Sequence, residues 1–233
     1  MKTIGIVGGL AWPSTIIYYR TINEEIAKRL GGSGRHSAKL LLAQTDFDEV
    51  EKNQTASNWD KVGDLLAAEA NHLQAGGADF FILACNTVHT AFDRISSQTN
   101  LPCIHIVDPA AQKAIDLHAK TVGLIGSGYT MDGTYFTDRL KDRYGLKVIL
   151  PESGQKEYIH QALYQEFVKG IFLPKTREKF RDTIQSLVDR GAEAIILGCT
   201  EFGILLNQSD CTVPLIDTTV EHAKTAAAKA LEE

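Results

Sequence analysis

The chain carries one pattern twice. Ile4-Gly5-Ile6-Val7-Gly8-Gly9 opens its first statement and Val122-Gly123-Leu124-Ile125-Gly126-Ser127 its second. Each is followed by a Thr with aromatic neighbours at the start of a helix: Ser14-Thr15 with Tyr18-Tyr19, then Thr134 with Tyr135-Phe136. Later, Gly77-Ala78-Asp79-Phe80-Phe81-Ile82-Leu83-Ala84-Cys85 is echoed by Gly191-Ala192-Glu193-Ala194-Ile195-Ile196-Leu197-Gly198-Cys199, with each cysteine eight residues after its glycine. The spacing from Gly8 to Cys85 is 77 residues and from Gly126 to Cys199 is 73, so the matches keep order and register. A chain that repeats at this length must build two similar units.

Short apolar runs near 3–8, 39–45, 79–85, 103–107, 120–126, 146–150, 193–199 and 213–216 read as strands. Segments of helical period near 14–30, 58–75, 130–144, 155–168, 175–189 and 218–231 separate them. That alternation is the pattern of βαβ units and parallel sheets. It predicts an α/β fold of two similar domains. The first spans 1–110 and is completed by the C-terminal helix in 214–233, and the second spans 111–213. A length of 233 residues suits such a pair.

Composition excludes several classes. The net charge of −5 comes without any basic block, so a nucleic-acid partner is not expected. No stretch reaches the 18 or so apolar residues of a membrane span, and the N-terminal apolar run is too short for a signal segment. The four cysteines, at 85, 103, 199 and 211, include no CxxC pair, and they read as cytoplasmic thiols. The glycine turns do not spell G-x-G-x-x-G or GxxxxGK[ST], so no nucleotide cofactor is expected.

In an open parallel sheet, ligands bind beyond the carboxyl ends of the strands, where both Cys85 and Cys199 fall. Matched thiols that confront each other across a pseudo-twofold cleft would place one sulfur on each face of a bound substrate. Stereoinversion at carbon demands that arrangement, because one group removes a proton from one face and another delivers it to the other. Cysteine suits the task, with a thiol whose ordinary pKa is near 8.5 and is readily tuned. Asn86, Thr87 and Thr200 begin strand-to-helix turns and offer donors for a substrate carboxylate, as do Ser14 and Thr15, although each hydroxyl could equally cap a helix. Glu201 is a candidate for the substrate ammonium or a helix-start carboxylate. His89 lies one helical turn after Cys85, either as a thiolate partner or as an ordinary core histidine, and no set of metal ligands accompanies it. Cys103 and Cys211 have no echo and read as structural.

At these residues the sequence resembles the aspartate/glutamate racemase family over essentially its whole length. The resemblance rests on the Ile4–Gly9 opening with Ser14-Thr15, the Cys85-Asn86-Thr87 turn and the Gly198-Cys199-Thr200-Glu201 turn. It implies two α/β domains related by a pseudo-twofold axis, with the active site in the cleft between them. It also implies racemisation of a small amino-acid substrate without pyridoxal phosphate or metal, and frequent homodimers. Substrate contacts are implied from Asn86, Thr87, Thr200 and Glu201, and by similar placement from Gln54 and Lys169, the latter for the side-chain carboxylate. Archaeal aspartate racemases of this group tend to carry an arginine after the second strand, where this chain has acidic Asp46-Phe47-Asp48-Glu49. Use of both aspartate and glutamate is therefore expected, and the presence of Cys85 implies turnover of both enantiomers. Related enzymes of hydantoin racemase or maleate isomerase type, and a catalytically silent amino-acid binding protein, are the alternatives.

Overall fold

Seven of the eight apolar runs form strands in the computed structural model, which describes residues 1–31 and 35–232; residue 233, the end of the closing segment, lies outside the described residues. In chain order come β1 (Ile4–Gly8), α1 (Trp12–Leu30), β2 (Leu40–Gln44), α2 (Phe47–Thr55), α3 (Trp59–Ala75), β3 (Phe80–Leu83) and α4 (Phe92–Ser96). Then follow α5 (Val107–Asp116), β4 (Thr121–Gly126), α6 (Gly128–Asp132), α7 (Thr134–Asp138), β5 (Lys147–Ile149), α8 (Ser153–Gln165) and α9 (Pro174–Asp189). The chain closes with β6 (Ala194–Gly198), α10 (Phe202–Leu205), β7 (Leu215–Asp217) and α11 (Thr218–Leu231).

The strands form two all-parallel sheets, ordered β2-β1-β3 and β5-β4-β6-β7. One compact unit comprises Met1–Ile106 with Thr219–Glu233, and the other Val107–Thr218. The chain thus changes unit at 106/107 and 218/219, whereas the sequence pattern suggested 110/111 and 213/214. The later return follows from β7, which pairs with β6 through Ile196 and Ile216 and so holds residues 215–217 in the second unit. Each unit also receives the helix that follows the other's last extended segment: α5 falls in the second and almost all of α11 in the first.

The repeat survives as atomic detail. Gly5 lies level with Leu41 and Phe81, and Gly123 with Ile149 and Ile195. A Cβ on Gly5 would press on Leu73 of α3 at 2.9 Å, and one on Gly123 on Leu187 of α9 at 3.1 Å, so in both units the glycine lets a leucine of the covering helix lie close on the central strand. The Gly-Ala-Asp and Gly-Ala-Glu echoes are helix exits. Gly77 and Gly191 take left-handed φ values of 89° and 95°. Ala78 N–H donates to Leu73 O, and Ala192 N–H to Leu187 O, which closes a Schellman cap after α3 and α9 alike. The acid that follows clamps the neighbouring strand's start: Asp79 accepts from Thr3 N–H at 2.6 Å, and Glu193 from Thr121 N–H at 2.8 Å.

Alternation along the central strands divides each core by face. In the first unit Ile4, Ile6, Phe80, Ile82 and Ala84 pack with Tyr18, Ile22 and Ile26 of α1 and with Ala223, Ala226, Ala227 and Ala230 of α11. Val7, Phe81 and Leu83 face Val62, Leu66 and Ala70 of α3. The second unit repeats the latter face, with Ile125, Ile195 and Leu197 against Ile159 and Leu163 of α8 and Phe180 and Ile184 of α9.

Two expected elements differ. The run 103–107 gives no strand, only an isolated bridge from Cys103 to Phe81, because Val107 already begins α5, with Pro109 in its first turn. The helix expected over 130–144 is broken into α6, α7 and a π-helical turn at Arg139–Arg143. Gly133 is extended there, and a side chain on it would run into Tyr129 O.

Candidate active site

In the first unit, Ala84 N–H donates to Val7 O, which carries the β1–β3 ladder one step past β3 and delivers Cys85 at the carboxyl edge. Cys85 is half-buried and follows Phe81 and Leu83 onto the α3 face. Asn86 is buried behind it, and Thr87 starts a 3₁₀ turn to Ala91. The buried Ser14 hydroxyl donates to Ala11 O at 2.7 Å and approaches Ala84 O at 3.4 Å, which ties the start of α1 to the residue before Cys85. Thr15 Oγ1 accepts from Gly9 N–H at 3.0 Å. Both hydroxyls, read as substrate donors or caps, are thus engaged in holding the glycine turn. Gln54 lies on the buried face of α2, 4% exposed, and among the described residues its Nε2 has no hydrogen-bond partner. A buried amide donor left unpaired costs about 1–3 kcal/mol, so its retention needs a reason outside packing.

The second unit gathers Cys199, Thr200 and Glu201 at the end of β6. Cys199 Sγ donates to Glu201 Oε2 at 3.0 Å, and Thr200 Oγ1 donates to the same oxygen at 2.7 Å. The carboxylate considered for a substrate ammonium is thus already engaged with the thiol. Lys169 is exposed on a 3₁₀ turn whose Phe167 is buried against Phe180 and Phe202. Phe202 directly follows Glu201, so that aromatic packing links the Lys169 turn to the Cys199 turn.

Two features escaped the sequence. The counterpart of Thr15 is Thr130, not the exposed Thr134: a Cβ on Gly8 would meet Thr15 Cγ2 at 2.7 Å, and one on Gly126 would meet Thr130 Cγ2 at 2.8 Å. Thr130 shares hydrogen bonds with Ser127 and Tyr135. The glycine-to-threonine gap shrinks from seven residues to four, and that shift hid the match. The backbone role of His89 is the second. Its Nδ1 donates to Cys85 O at 2.9 Å and its Nε2 accepts from Ile106 N–H at 3.2 Å, so it binds backbone. Cys211 is half-buried, and burial pushes its thiol above the ordinary range. Among the described residues no three His, Cys, Asp or Glu side chains are grouped as metal ligands would be, and no helix is long and apolar enough to cross a membrane.

Residues 7–226 match the Asp/Glu/Hydantoin racemase family. The chain is 27% identical over 224 residues, 95% of each chain, to the broad specificity amino-acid racemase RacX of Bacillus subtilis. A candidate Asp/Glu racemase from Yersinia pestis shares the fold at a TM-score of 0.93 and 38% identity, with all of both chains covered. An aspartate racemase homologue from Pyrococcus horikoshii does so at a TM-score of 0.85 and 28% identity, again over all of both chains.

Proposed function

The chain belongs to the Asp/Glu/hydantoin racemase family, and on that footing we propose that it interconverts the L- and D-forms of aspartate and glutamate by two-base proton transfer between Cys85 and Cys199. The observation that carries this reading is the register of the two thiols. Leu83 pairs with Val7 and Leu197 with Ile125, and each cysteine stands two residues beyond its leucine, on the same sheet face of its own unit. The two units thus carry a cysteine at corresponding positions. Cys103 and Cys211 have no such counterpart.

In the proposed reaction one cysteine enters as thiolate and the other as thiol. The thiolate takes the α-proton, leaving the electron pair on Cα delocalised into the carboxylate. The thiol then gives its proton to the opposite face. The substrate leaves inverted, and the two sulfurs have exchanged protonation states. The Cys199–Glu201 hydrogen bond supports Cys199 as the resting thiol, because a carboxylate acceptor favours the protonated sulfur. Asn86, Thr87 and Thr200, with the backbone N–H groups of their turns, are proposed to hold the α-carboxylate as charge builds on it. Gln54 Nε2 supplies a further donor, and Lys169 the cation for the side-chain carboxylate. The broad specificity of the Bacillus subtilis racemase RacX accords with use of more than one amino acid.

The test is incubation with L-aspartate and L-glutamate separately in D2O, without added cofactor. We expect the D-enantiomer to appear with deuterium at Cα. Absence of D-product from both substrates, or inverted product without solvent deuterium, contradicts the proposal.

A further inference from the structure

The first unit buries three histidines and a tyrosine beside the Cys85 turn, more polar chemistry than a core requires. His89, His105, His222 and Tyr18 are each at most 3% exposed. Partners fix the state of one of the rings. His89 Nδ1 lies 2.9 Å from Cys85 O and 3.2 Å from Asn86 O, and carbonyls only accept, so Nδ1 carries hydrogen. Its Nε2 faces Ile106 N–H, which only donates, so Nε2 carries none. His89 is therefore the neutral Nδ1–H tautomer. His222 Nε2 likewise donates to Ile104 O at 2.9 Å, and its Nδ1 shares a hydrogen bond of 2.9 Å with the Tyr18 hydroxyl. The His105 ring lies 4.6 Å from that of His89. Two imidazoles thus grip residues 104–106, the last before the chain enters the second unit. One of them reaches from the Cys85 turn itself.

Four residues after Cys199 stands Gly203, so the second turn carries no histidine at the corresponding position. From the two carbonyl contacts we infer that His89 is a positioning residue for Cys85: by donating to the Cys85 and Asn86 carbonyls it fixes the backbone from which Sγ projects. The inference rests on the proposed two-base reaction for its kinetic consequence, but not for its structural one. A reacting atom displaced by about 1 Å loses about 10²-fold in rate.

The test compares His89→Asn, which keeps an N–H at the Nδ1 position, with His89→Gln, which keeps only an acceptor toward Ile106, and with His89→Leu, which keeps neither. With α-deuterated L- and D-substrates, His89→Leu and His89→Gln should raise the primary isotope effect on kcat/KM in the direction where Cys85 removes the proton and lower it in the other. A merely structural defect would leave the ratio of the two effects unchanged. Independently of any turnover, the rate of Cys85 alkylation by iodoacetamide, resolved from Cys199 by peptide mass spectrometry, should change about tenfold in His89→Leu and His89→Gln and return to within about threefold of wild type in His89→Asn. Unchanged Cys85 reactivity in folded His89→Leu overturns the inference. Should His89→Leu fail to fold, Gln closer to wild type than Asn overturns it instead. Wild type that racemises neither substrate defeats the proposed function, and the alkylation series still decides the role of His89.

Discussion

Glu201 Oε2 lies 3.0 Å from Cys199 Sγ and accepts the hydrogen bond of the thiol, while Thr200 Oγ1 donates to the same oxygen from 2.7 Å. Glu201→Gln preserves shape and removes the charge that favours the protonated sulfur. We predict a fall in kcat of about 10²-fold, the scale of one general acid–base contribution. KM should change by less than about threefold, because the carboxylate is engaged with the thiol. Steady-state kinetics in both directions checks this, and a rise in KM at constant kcat would return Glu201 to the role of an ammonium ligand.

Gln54 offers a prediction with opposite signs for stability and binding. Its Nε2 is buried and unpaired among the described residues, so Gln54→Met should stabilise the free protein by about 1 kcal/mol, through relief of an unsatisfied donor. The same change should raise KM about tenfold, the worth of one hydrogen bond of about 1.4 kcal/mol to a charged group. Thermal unfolding and kinetics on one preparation measure both, and an unchanged KM would remove Gln54 from the site.

Stability should fall in mild acid. Burial, reinforced by His105 and His222, holds the pKa of His89 well below 6.5. Below pH 6.5 the unfolded chain takes up a proton there that the folded chain refuses, so unfolding becomes more favourable as pH drops. The expected slope approaches about 1.4 kcal/mol per pH unit for this one proton. Denaturant titrations between pH 7 and pH 5 on wild type and His89→Asn check it, and the variant should show the smaller slope.

Two glycines, one at a strand end and one in a helix, make a contrast pair. Gly126→Val would press into Thr130 Cγ2 and Gly198 O, and should cost about 1–3 kcal/mol as overpacking. Gly154, in the first turn of α8, has nothing within 4 Å of an added Cβ, so Gly154→Ala should stabilise by up to about 1 kcal/mol. Chemical denaturation separates the two.

Much of this architecture is legible in the sequence because its repeat is tied to local chemistry. Gly77-Ala78-Asp79 and Gly191-Ala192-Glu193 each end a helix and clamp a strand with groups within a few residues of one another, so the echo could be read directly. What stayed hidden was set by distant partners. Helix α2 sits in a stretch that reads as an acidic loop, although Asp46 accepts from Asp48 N–H at its start and Val50 and Gln54 supply its buried face. The α5 segment was obscured because the chain changes unit within the run Cys103 to Val107, which has the composition of a strand. At the site, the cysteines and their flanking polar residues were visible as a motif. The backbone role of His89 was not, since its other partner, Ile106, is 17 residues away.

The most direct measurement is the racemisation rate of Cys85→Ser, Cys199→Ser, Cys103→Ser and Cys211→Ser with aspartate and glutamate, assayed by chiral chromatography. Loss of either base should lower the rate by about 10³-fold, within the range for a positioned acid or base, while Cys103→Ser and Cys211→Ser, at half-buried packing positions, should stay within about twofold. Retention of wild-type activity by either Cys85→Ser or Cys199→Ser would contradict the two-thiol account.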